Sequence, residues 1–374
     1  MKKNAILAAS MLVCVTMITC GCIAGKRPST QLERTPFGVV GINNFLLQDI
    51  PLTVEKLESL NVQWVRVTTS YFIFNKEKRE RLAPIYINLV NELDKAGINV
   101  LGQLSGNRHN ADWTKPEEMA QFKEYVEYLL VTFPPITHWE IWNEPDSSHF
   151  FGQDPNPDYY MAIVKTAYET IKDKNKNHKV LVGAFTQNGL ANHTKMPRGH
   201  RLPRMLEECY ERGLKDFSDI ISFHPYTNIK HPRHGLPYLR AKLGESMALM
   251  AKHGDAEKPI WLTEVGVPLG PTIAAKDKKV DTAPEDVAEW VGIYYEETLR
   301  YRQIEKLFWM CLRDWPNPKQ PESTKFGLFE TDWTPRPAAT KFTELAARYG
   351  KTPYWIENVE PIDMAPVEFY SGKK

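Results

Sequence analysis

The chain has 374 residues, of which 42% are hydrophobic and 25% are charged, which is an ordinary globular composition. This length suits one large domain or two small ones. The formal net charge of +1 gives no support for binding nucleic acid or another polyanion through overall charge.

The first 22 residues have the pattern of a secretory signal. Two lysines precede an apolar run at residues 5–18, which is too short to span a bilayer comfortably. The letters TCGC then place Cys20 and Cys22 near the expected cleavage point, and Gly21 favours Cys22. The segment resembles a bacterial lipoprotein signal, which implies an exported protein, periplasmic or at the cell surface, held to the membrane by an N-terminal lipid anchor. A plain cleaved signal is the alternative.

After a polar linker at residues 23–34, the chain alternates between strand and helix patterns. Apolar stripes with a period of 3.6 predict the helices, as in Tyr86, Leu89, Val90 and Leu93. Apolar segments predict eight strands, at 37–42, 63–68, 99–104, 137–142, 179–185, 219–224, 259–264 and 305–311.

Eight strand-then-helix units predict an α/β protein with a parallel sheet closed into a (β/α)₈ barrel, a single domain over residues 35–350. A doubly wound open sheet is the alternative. No GxGxxG turn follows the first strand to support a dinucleotide-binding domain. Residues 351–374 form a tail with enough apolar side chains to pack on or near the barrel.

Cysteine usage and motif spacing give no sign of a metal or cofactor. Beyond the signal only Cys209 and Cys311 remain, both in apolar surroundings, and buried free thiols are expected. No CxxC or HExxH spacing occurs, so neither a catalytic metal nor a cofactor is predicted.

Two predicted strands lead into a glutamate. The fourth runs into WNEPD, with Asn143 before Glu144, and the seventh, PIWLTE, ends on Glu264. The carboxyl ends of barrel strands build the active site, so both carboxylates should face one cavity. Paired carboxylates suit cleavage of a glycosidic bond. One donates a proton to the leaving oxygen, and the other attacks the anomeric carbon or activates water.

The segments WEIWNEPD, ISFHPYT and GLFETDWTPRPAA resemble glycoside hydrolase family 39, with family 5 as second choice. Both belong to clan A, the retaining (β/α)₈ glycoside hydrolases, and the likeness extends over residues 37–348. It implies an enzyme that cleaves the O-glycosidic bonds of an oligo- or polysaccharide by double displacement, with Glu144 as acid/base and Glu264 as nucleophile. The chain has no room for the extra β-sandwich domain that many family 39 members carry.

The same resemblance implies supporting roles around the two glutamates. Arg66 would lie beside the nucleophile and keep it ionised, and it could equally form a structural ion pair. Asn143 would hydrogen-bond the sugar's 2-hydroxyl. His224 and Tyr226 would lie at the end of the sixth strand, with Tyr226 orienting the nucleophile and His224 bridging to it.

Aromatic and acidic neighbours have more open assignments. Trp309 is expected to stack under the sugar, with barrel core as the alternative for this residue and Trp315 as a rival for the platform. Trp142 is assigned to substrate binding, with the hydrophobic core as an equal alternative. Glu140 is expected to line the barrel on the same strand face as Trp142, and Asp146 to organise the turn or a nearby cation; neither is assigned to catalysis.

Two predicted loops beside the cleft contain basic residues and no acids. A positive rim of this kind would suit an acidic glycan carrying uronate or sulfate, while ordinary solvated loops are the alternative. The residues are His193, Lys195, Arg198, His200, Arg201 and Arg204 after the fifth strand, and Lys230, His231, Arg233 and His234 after the sixth.

Other functions remain open at this point. A carbohydrate-binding lipoprotein without catalysis on the same scaffold is the main alternative, although binding alone does not need paired carboxylates. An aldolase or isomerase would need a Schiff-base lysine or metal ligands at strand ends, and neither pattern occurs. Inverting hydrolysis needs carboxylates about 6.5–9.5 Å apart, against about 5–5.5 Å for retention.

Overall fold

The computed structural model describes residues 35–42, 46–69, 76–105, 112–186, 204–227, 232–271, 281–298, 300–315 and 325–350. The predicted signal, linker and C-terminal tail lie outside these ranges, and so do most residues of the two basic loops. The expectations for those segments stay predictions.

Eight parallel strands close into a barrel, in which each strand pairs with its neighbours along the chain and the last pairs with the first. This confirms the (β/α)₈ prediction and excludes the open sheet. Every predicted strand end agrees with the structure to within two residues. The strands are β1 (Phe37–Gly41), β2 (Trp64–Thr68), β3 (Asn99–Leu104), β4 (His138–Ile141), β5 (Lys179–Phe185), β6 (Ile220–Phe223), β7 (Ile260–Val265) and β8 (Ile304–Trp309).

Helices follow the strands and cover the barrel. The predicted stripe at Tyr86, Leu89, Val90 and Leu93 is buried against the strands. In the described ranges no helix is both long and apolar enough to cross a bilayer. The helices are α1 (Ile50–Ser59), α2 (Lys76–Lys95), α3 (Pro116–Thr132), α4 (Ser148–Phe151), α5 (Pro157–Lys174), α6 (Arg204–Glu211), α7 (Pro232–Lys252), α8 (Pro284–Thr298) and α9 (Pro337–Tyr349).

The barrel interior changes character along its axis. An apolar cluster that includes Trp64, Trp261 and Phe308 fills the lower part, and the rings of Trp64 and Trp261 meet edge to face at 5.0 Å. Alternation on β2 places Arg66 on the same inward face as Trp64, one step nearer the carboxyl end. Arg66 there meets Glu140 of β4, so the interior becomes polar where the strands end.

Two features near the barrel mouth go beyond the sequence prediction. A two-stranded antiparallel ribbon, Gly270–Pro271 with Asp281–Thr282, lies after β7. After β8, the buried Asp314 accepts two hydrogen bonds from Arg336, at 2.9 and 2.5 Å. Arg336 immediately precedes α9, so this ion pair ties the segment after β8 to the last helix.

Asp314→Asn is expected to destabilise the protein by about 3–5 kcal/mol, because it leaves the guanidinium of Arg336 buried without its counter-charge. Urea unfolding would measure the change. Glu92→Gln, which removes an exposed pair with Lys95, is the matched control and should change stability by no more than about 0.5 kcal/mol. Equal small losses in both variants would contradict the structural role of the buried pair.

Candidate active site

The structure brings Glu144 and Glu264 together at the carboxyl end of the barrel. Glu264 belongs to β7, and Glu144 follows β4 by three residues. An oxygen of each glutamate and a ring nitrogen of His224 all lie within 4.8 Å of one another. Glu144 is 8% exposed and the Glu264 side chain 15%, so both carboxylates are largely withdrawn from water.

Unusual backbone at the end of β4 turns Glu144 toward Glu264 and His224. Trp142 and Glu144 adopt left-handed conformations, with φ of 74° and 46°. Such conformations are uncommon for non-glycine residues and mark a site held by its surroundings. Hydrogen bonds hold this segment, from the Trp142 N–H to the Leu104 carbonyl at 2.6 Å and from the Gln103 amide to the Trp142 carbonyl at 3.2 Å.

The same backbone places the ring of Trp142 in the core, which is one of the two positions expected for it. Strict alternation would place its ring in the barrel beside Glu140, but the positive φ ends the alternation. The ring instead packs against Trp113 at 5.4 Å and Phe151 at 5.5 Å, and it is fully buried. Trp142 is therefore part of the core outside the strands and offers no face to a ligand.

Arg66 lies between three partners. Its Nε donates to Glu140 Oε2 at 2.6 Å, one terminal nitrogen to Glu264 Oε2 at 3.1 Å, and the other to Asn143 Oδ1 at 2.8 Å. The structure thus places Arg66 beside Glu264, as expected, and also in a buried ion pair with Glu140. Because the Asn143 oxygen is occupied by Arg66, the amide nitrogen of Asn143 is the group left to donate to a ligand.

Glu264 is held by two donors. The Tyr226 hydroxyl donates to Glu264 Oε1 at 2.6 Å, and Arg66 binds Oε2. Burial raises the pKa of Glu264, while the charge of Arg66 and the hydrogen bond from Tyr226 oppose that rise. Tyr226 therefore lies where the sequence predicted, oriented on this carboxylate.

Glu144 has a different partner and a different proton affinity. Burial raises its pKa well above the ordinary value, and the nearby charges of Glu264 and Asp146 add to the rise. His224 Nδ1 lies 3.0 Å from Glu144 Oε1 and 3.8 Å from Glu264 Oε2. His224 therefore hydrogen-bonds Glu144, which corrects the expectation that it bridges to Glu264. Burial and the charge of Arg66 lower the pKa of His224 well below its ordinary value, which favours the neutral imidazole.

Asp146 organises the turn after β4, which is one of the two roles expected for it. Its carboxylate accepts from the Thr186 backbone N–H at 3.0 and 3.1 Å and from the Thr186 hydroxyl at 2.9 Å. These contacts join the turn that carries Glu144 to the end of β5.

Two tryptophans, at the end of β8 and in the segment that follows it, are both candidates for the stacking platform. Trp309 is fully buried, and its indole N–H donates to the Phe326 carbonyl at 3.2 Å. It therefore holds the backbone of Phe326 in place from within the core. Trp315 is half-buried and stacks on Phe326 at 6.5 Å, and Phe326 meets the edge of Tyr226 at 6.4 Å. Trp315 is thus the better-placed of the two rivals for a stacking platform. Phe326, which the sequence analysis missed, has no local motif that would have identified it.

The cluster has the chemistry of an acid–base site. Carboxylates and imidazole are also metal-binding groups, but both oxygens of Glu264 already accept hydrogen bonds, and the guanidinium of Arg66 lies 3.1 Å from one of them. A fixed positive charge at this distance opposes the entry of a second cation. The cluster is therefore better suited to acid–base chemistry than to holding a metal ion.

Of the basic residues expected beside the cleft, Arg204 has a described side chain, and its guanidinium donates to Glu208 at 2.6 Å. The side chains of the others lie outside the described part of the chain. The two cysteines are buried free thiols, as expected.

Comparison with known proteins gives matches to structures only. No protein-family model matches the sequence, and no curated protein matches it. The fold is similar to a family 39 glycoside hydrolase from the gut symbiont Bacteroides cellulosilyticus, with 18% identity and a TM-score of 0.63. That match covers 84% of this chain and 64% of the other, so this chain spans less than two thirds of that protein's length.

Two further structures share the fold. A family 5, subfamily 18 glycoside hydrolase from Streptomyces cattleya, solved in complex with GlcNAc, has 19% identity and a TM-score of 0.62, covering 86% of this chain and 82% of that one. A family 1 β-glucosidase from Thermotoga maritima has 11% identity and a TM-score of 0.60, covering 86% of this chain and 100% of that one. These neighbours confirm the predicted resemblance at the level of the fold.

Glu144→Gln is expected to stabilise the protein at alkaline pH. Because the folded-state pKa of Glu144 is raised, the stability it contributes is present below the ordinary glutamate pKa of about 4.3 and is lost as pH rises through the folded-state value. Glutamine stays neutral, so the variant should exceed wild type by about 1 kcal/mol or more near pH 9 and match it near pH 4.

Urea unfolding at both pH values would measure this difference. Glu127→Gln, on the exposed face of α3, is the control and should show no pH-dependent gain. A Glu144→Gln variant no more stable than wild type near pH 9 would show that the fold does not favour protonated Glu144.

Proposed function

We propose that this protein is a retaining O-glycoside hydrolase, with Glu144 as acid/base and Glu264 as nucleophile. The observation that carries the proposal is the different environment of two adjacent buried carboxylates. Arg66 and Tyr226 favour the charged form of Glu264, whereas Glu144 has no cation bonded to it within the described part of the chain. A pair whose environments separate their pKa values in this way is suited to acid and nucleophile roles.

In the first step, an oxygen of Glu264 attacks the anomeric carbon while the bond to the leaving oxygen breaks. Glu144 transfers its proton to that oxygen, so the leaving group departs as an alcohol. In the second step, water attacks the anomeric carbon, and the bond to Glu264 breaks. Glu144, now a carboxylate, takes the proton from that water, and both glutamates return to their starting states.

The distance between the carboxylates supports double displacement. One oxygen of Glu144 lies within 4.8 Å of one oxygen of Glu264. Direct attack is typical of carboxyl groups about 5–5.5 Å apart, whereas inversion needs about 6.5–9.5 Å to admit a water molecule. NMR of the first product should therefore show the same anomeric configuration as the substrate.

Neighbouring side chains would support this chemistry in different ways. Asn143, with its oxygen held by Arg66, would present its amide nitrogen to the sugar's 2-hydroxyl, a contact that strengthens in the transition state. Neutral His224 would hold the carboxyl group of Glu144 in place. Trp315 and Phe326 would provide apolar ring surface for the C–H faces of a sugar.

For the substrate, we propose an acidic glycan carrying uronate or sulfate. The proposal rests on the acid-free, basic composition of the sequences after β5 and β6. Hydrolysis of acidic polysaccharides should fall as salt rises from about 0.05 to 0.5 M, because salt screens charge attraction. Equal hydrolysis of a neutral glycan and its uronate- or sulfate-bearing counterpart would exclude this substrate class.

Glu264→Gln is expected to reduce hydrolysis of the best aryl glycoside by about 10⁴-fold or more, because no carboxylate remains to attack the anomeric carbon. Glu144→Gln should lose about 10²–10⁴-fold on leaving groups that need protonation. Its loss should be much smaller with a dinitrophenyl leaving group, which departs without a proton. Initial rates of release of the leaving alcohol, compared between wild type and the two variants, would measure these losses.

Glu330→Gln, an exposed glutamate on the segment before α9, is the control and should retain wild-type rates. A wild-type protein that binds glycans without cleaving any, with binding unaffected in Glu264→Gln, would instead support a carbohydrate-binding protein on this scaffold.

A further inference from the structure

Glu140 is a third buried carboxylate, and no step of the proposed reaction uses it. It lies in the interior of the barrel, fully buried, between Gln103 of β3 and Leu181 of β5 in the strand register. Its Oε2 accepts from Arg66, and its Oε1 has no hydrogen-bond partner in the described part of the chain. A buried charge with one unbonded oxygen is costly to the fold, so its presence calls for a reason.

The charges around Glu264 do not balance among the described residues. Arg66 is the cation that contacts the two carboxylates Glu140 and Glu264, and it lies closer to Glu140, at 2.6 Å against 3.1 Å. The remaining polar groups around Glu264 carry no positive charge: the Tyr226 hydroxyl, the Asn143 amide, neutral His224 and Glu144.

We propose that Glu140 is a positioning residue, which draws the guanidinium of Arg66 toward the barrel interior and so limits how tightly that guanidinium binds the nucleophile Glu264. The proposal rests on the proposed function, since it concerns the nucleophile of that reaction. A carboxylate bonded fully by a guanidinium is a poorer nucleophile, because its electron pair is more strongly stabilised. A carboxylate with no cation nearby would be protonated at neutral pH in this buried site. When Arg66 is shared between two acids, Glu264 stays ionised but is bound less tightly by the guanidinium.

Among the described residues, Arg66 is the charged partner of Glu140, and its other neighbours named here are uncharged. Gln103 lies beside it on β3, and the Gln103 amide donates to Trp142. On the other side, the Tyr160 hydroxyl lies behind β4 and donates to the Ile141 carbonyl. Removing the charge of Glu140 would therefore leave Arg66 with Glu264 as its one bonded carboxylate among these residues.

Glu140→Gln tests the proposal, because glutamine has the same shape and can still accept from Arg66. The probe is carbon-13 in glutamate carboxyl groups, with the Glu264 signal assigned by its loss in Glu264→Gln. With the like charge of Glu140 gone, the titration midpoint of Glu264 should fall by about one pH unit. The acidic limb of kcat/KM should move in the same direction, and kcat should fall several-fold.

Ser222→Ala is the matched control. Ser222 is fully buried in β6, and its hydroxyl oxygen accepts from the Ala184 N–H at 2.8 Å, so the change perturbs the barrel without altering charge. It should leave the Glu264 midpoint unchanged. An unchanged midpoint in Glu140→Gln, or an equal shift in Ser222→Ala, would overturn the proposal.

Two provisions keep the test decisive. If Glu140→Gln does not fold, Glu140→Asp replaces it: the shorter carboxylate reaches Arg66 less well, so a smaller fall in the midpoint is expected, and no fall overturns the proposal. The titration needs no substrate. A wild-type protein that cleaves no glycan would therefore refute the proposed hydrolase activity while the midpoint still decides the role of Glu140.

Discussion

The buried guanidinium of Arg66 is the interaction on which the rest of the site depends. A cation in the interior of a barrel is tolerated only when carboxylates and hydrogen-bond acceptors surround it. Arg66 meets this requirement with groups from three places: β4, the turn after it, and β7. The same contacts fix Glu264 and Asn143 at defined distances from one another. Stability and the proposed chemistry thus draw on one set of bonds, because one of the two acids that compensate the charge, Glu264, is also the proposed nucleophile.

The second constraint lies in the backbone after β4. The chain has to turn an inward-facing strand end into a loop that presents Glu144 beside Glu264, and it does so with two left-handed residues. Proline after Glu144 and the contacts of Asp146 to Thr186 then hold the turn against the end of β5. A consequence is that the large ring of Trp142 leaves the barrel and joins the aromatic packing beneath α3 and α4, which strengthens the wall supporting the site.

Much of this could be predicted from the sequence, because its signals are local. Eight apolar runs and the stripes between them predict the barrel, and strand ends locate Glu144 and Glu264. The features that the sequence left open or misplaced have a different origin. The partner of His224, the outward turn of Trp142 and the choice between Trp309 and Trp315 depend on distances between segments far apart in the chain. Glu140 could be placed in the barrel by alternation, but its shared hold on Arg66 requires the position of Glu264, over a hundred residues away. Likewise, no local pattern identifies Phe326 as the ring on which Trp315 stacks.

The apolar cluster around Trp64, Trp261 and Phe308 has one more consequence. It fills the lower half of the barrel, so the interior below Arg66 is a packed core and not a channel. Whatever enters must leave through the same opening, and water must follow the same route. The segments that border the mouth consequently affect the exit of a molecule as much as its entry.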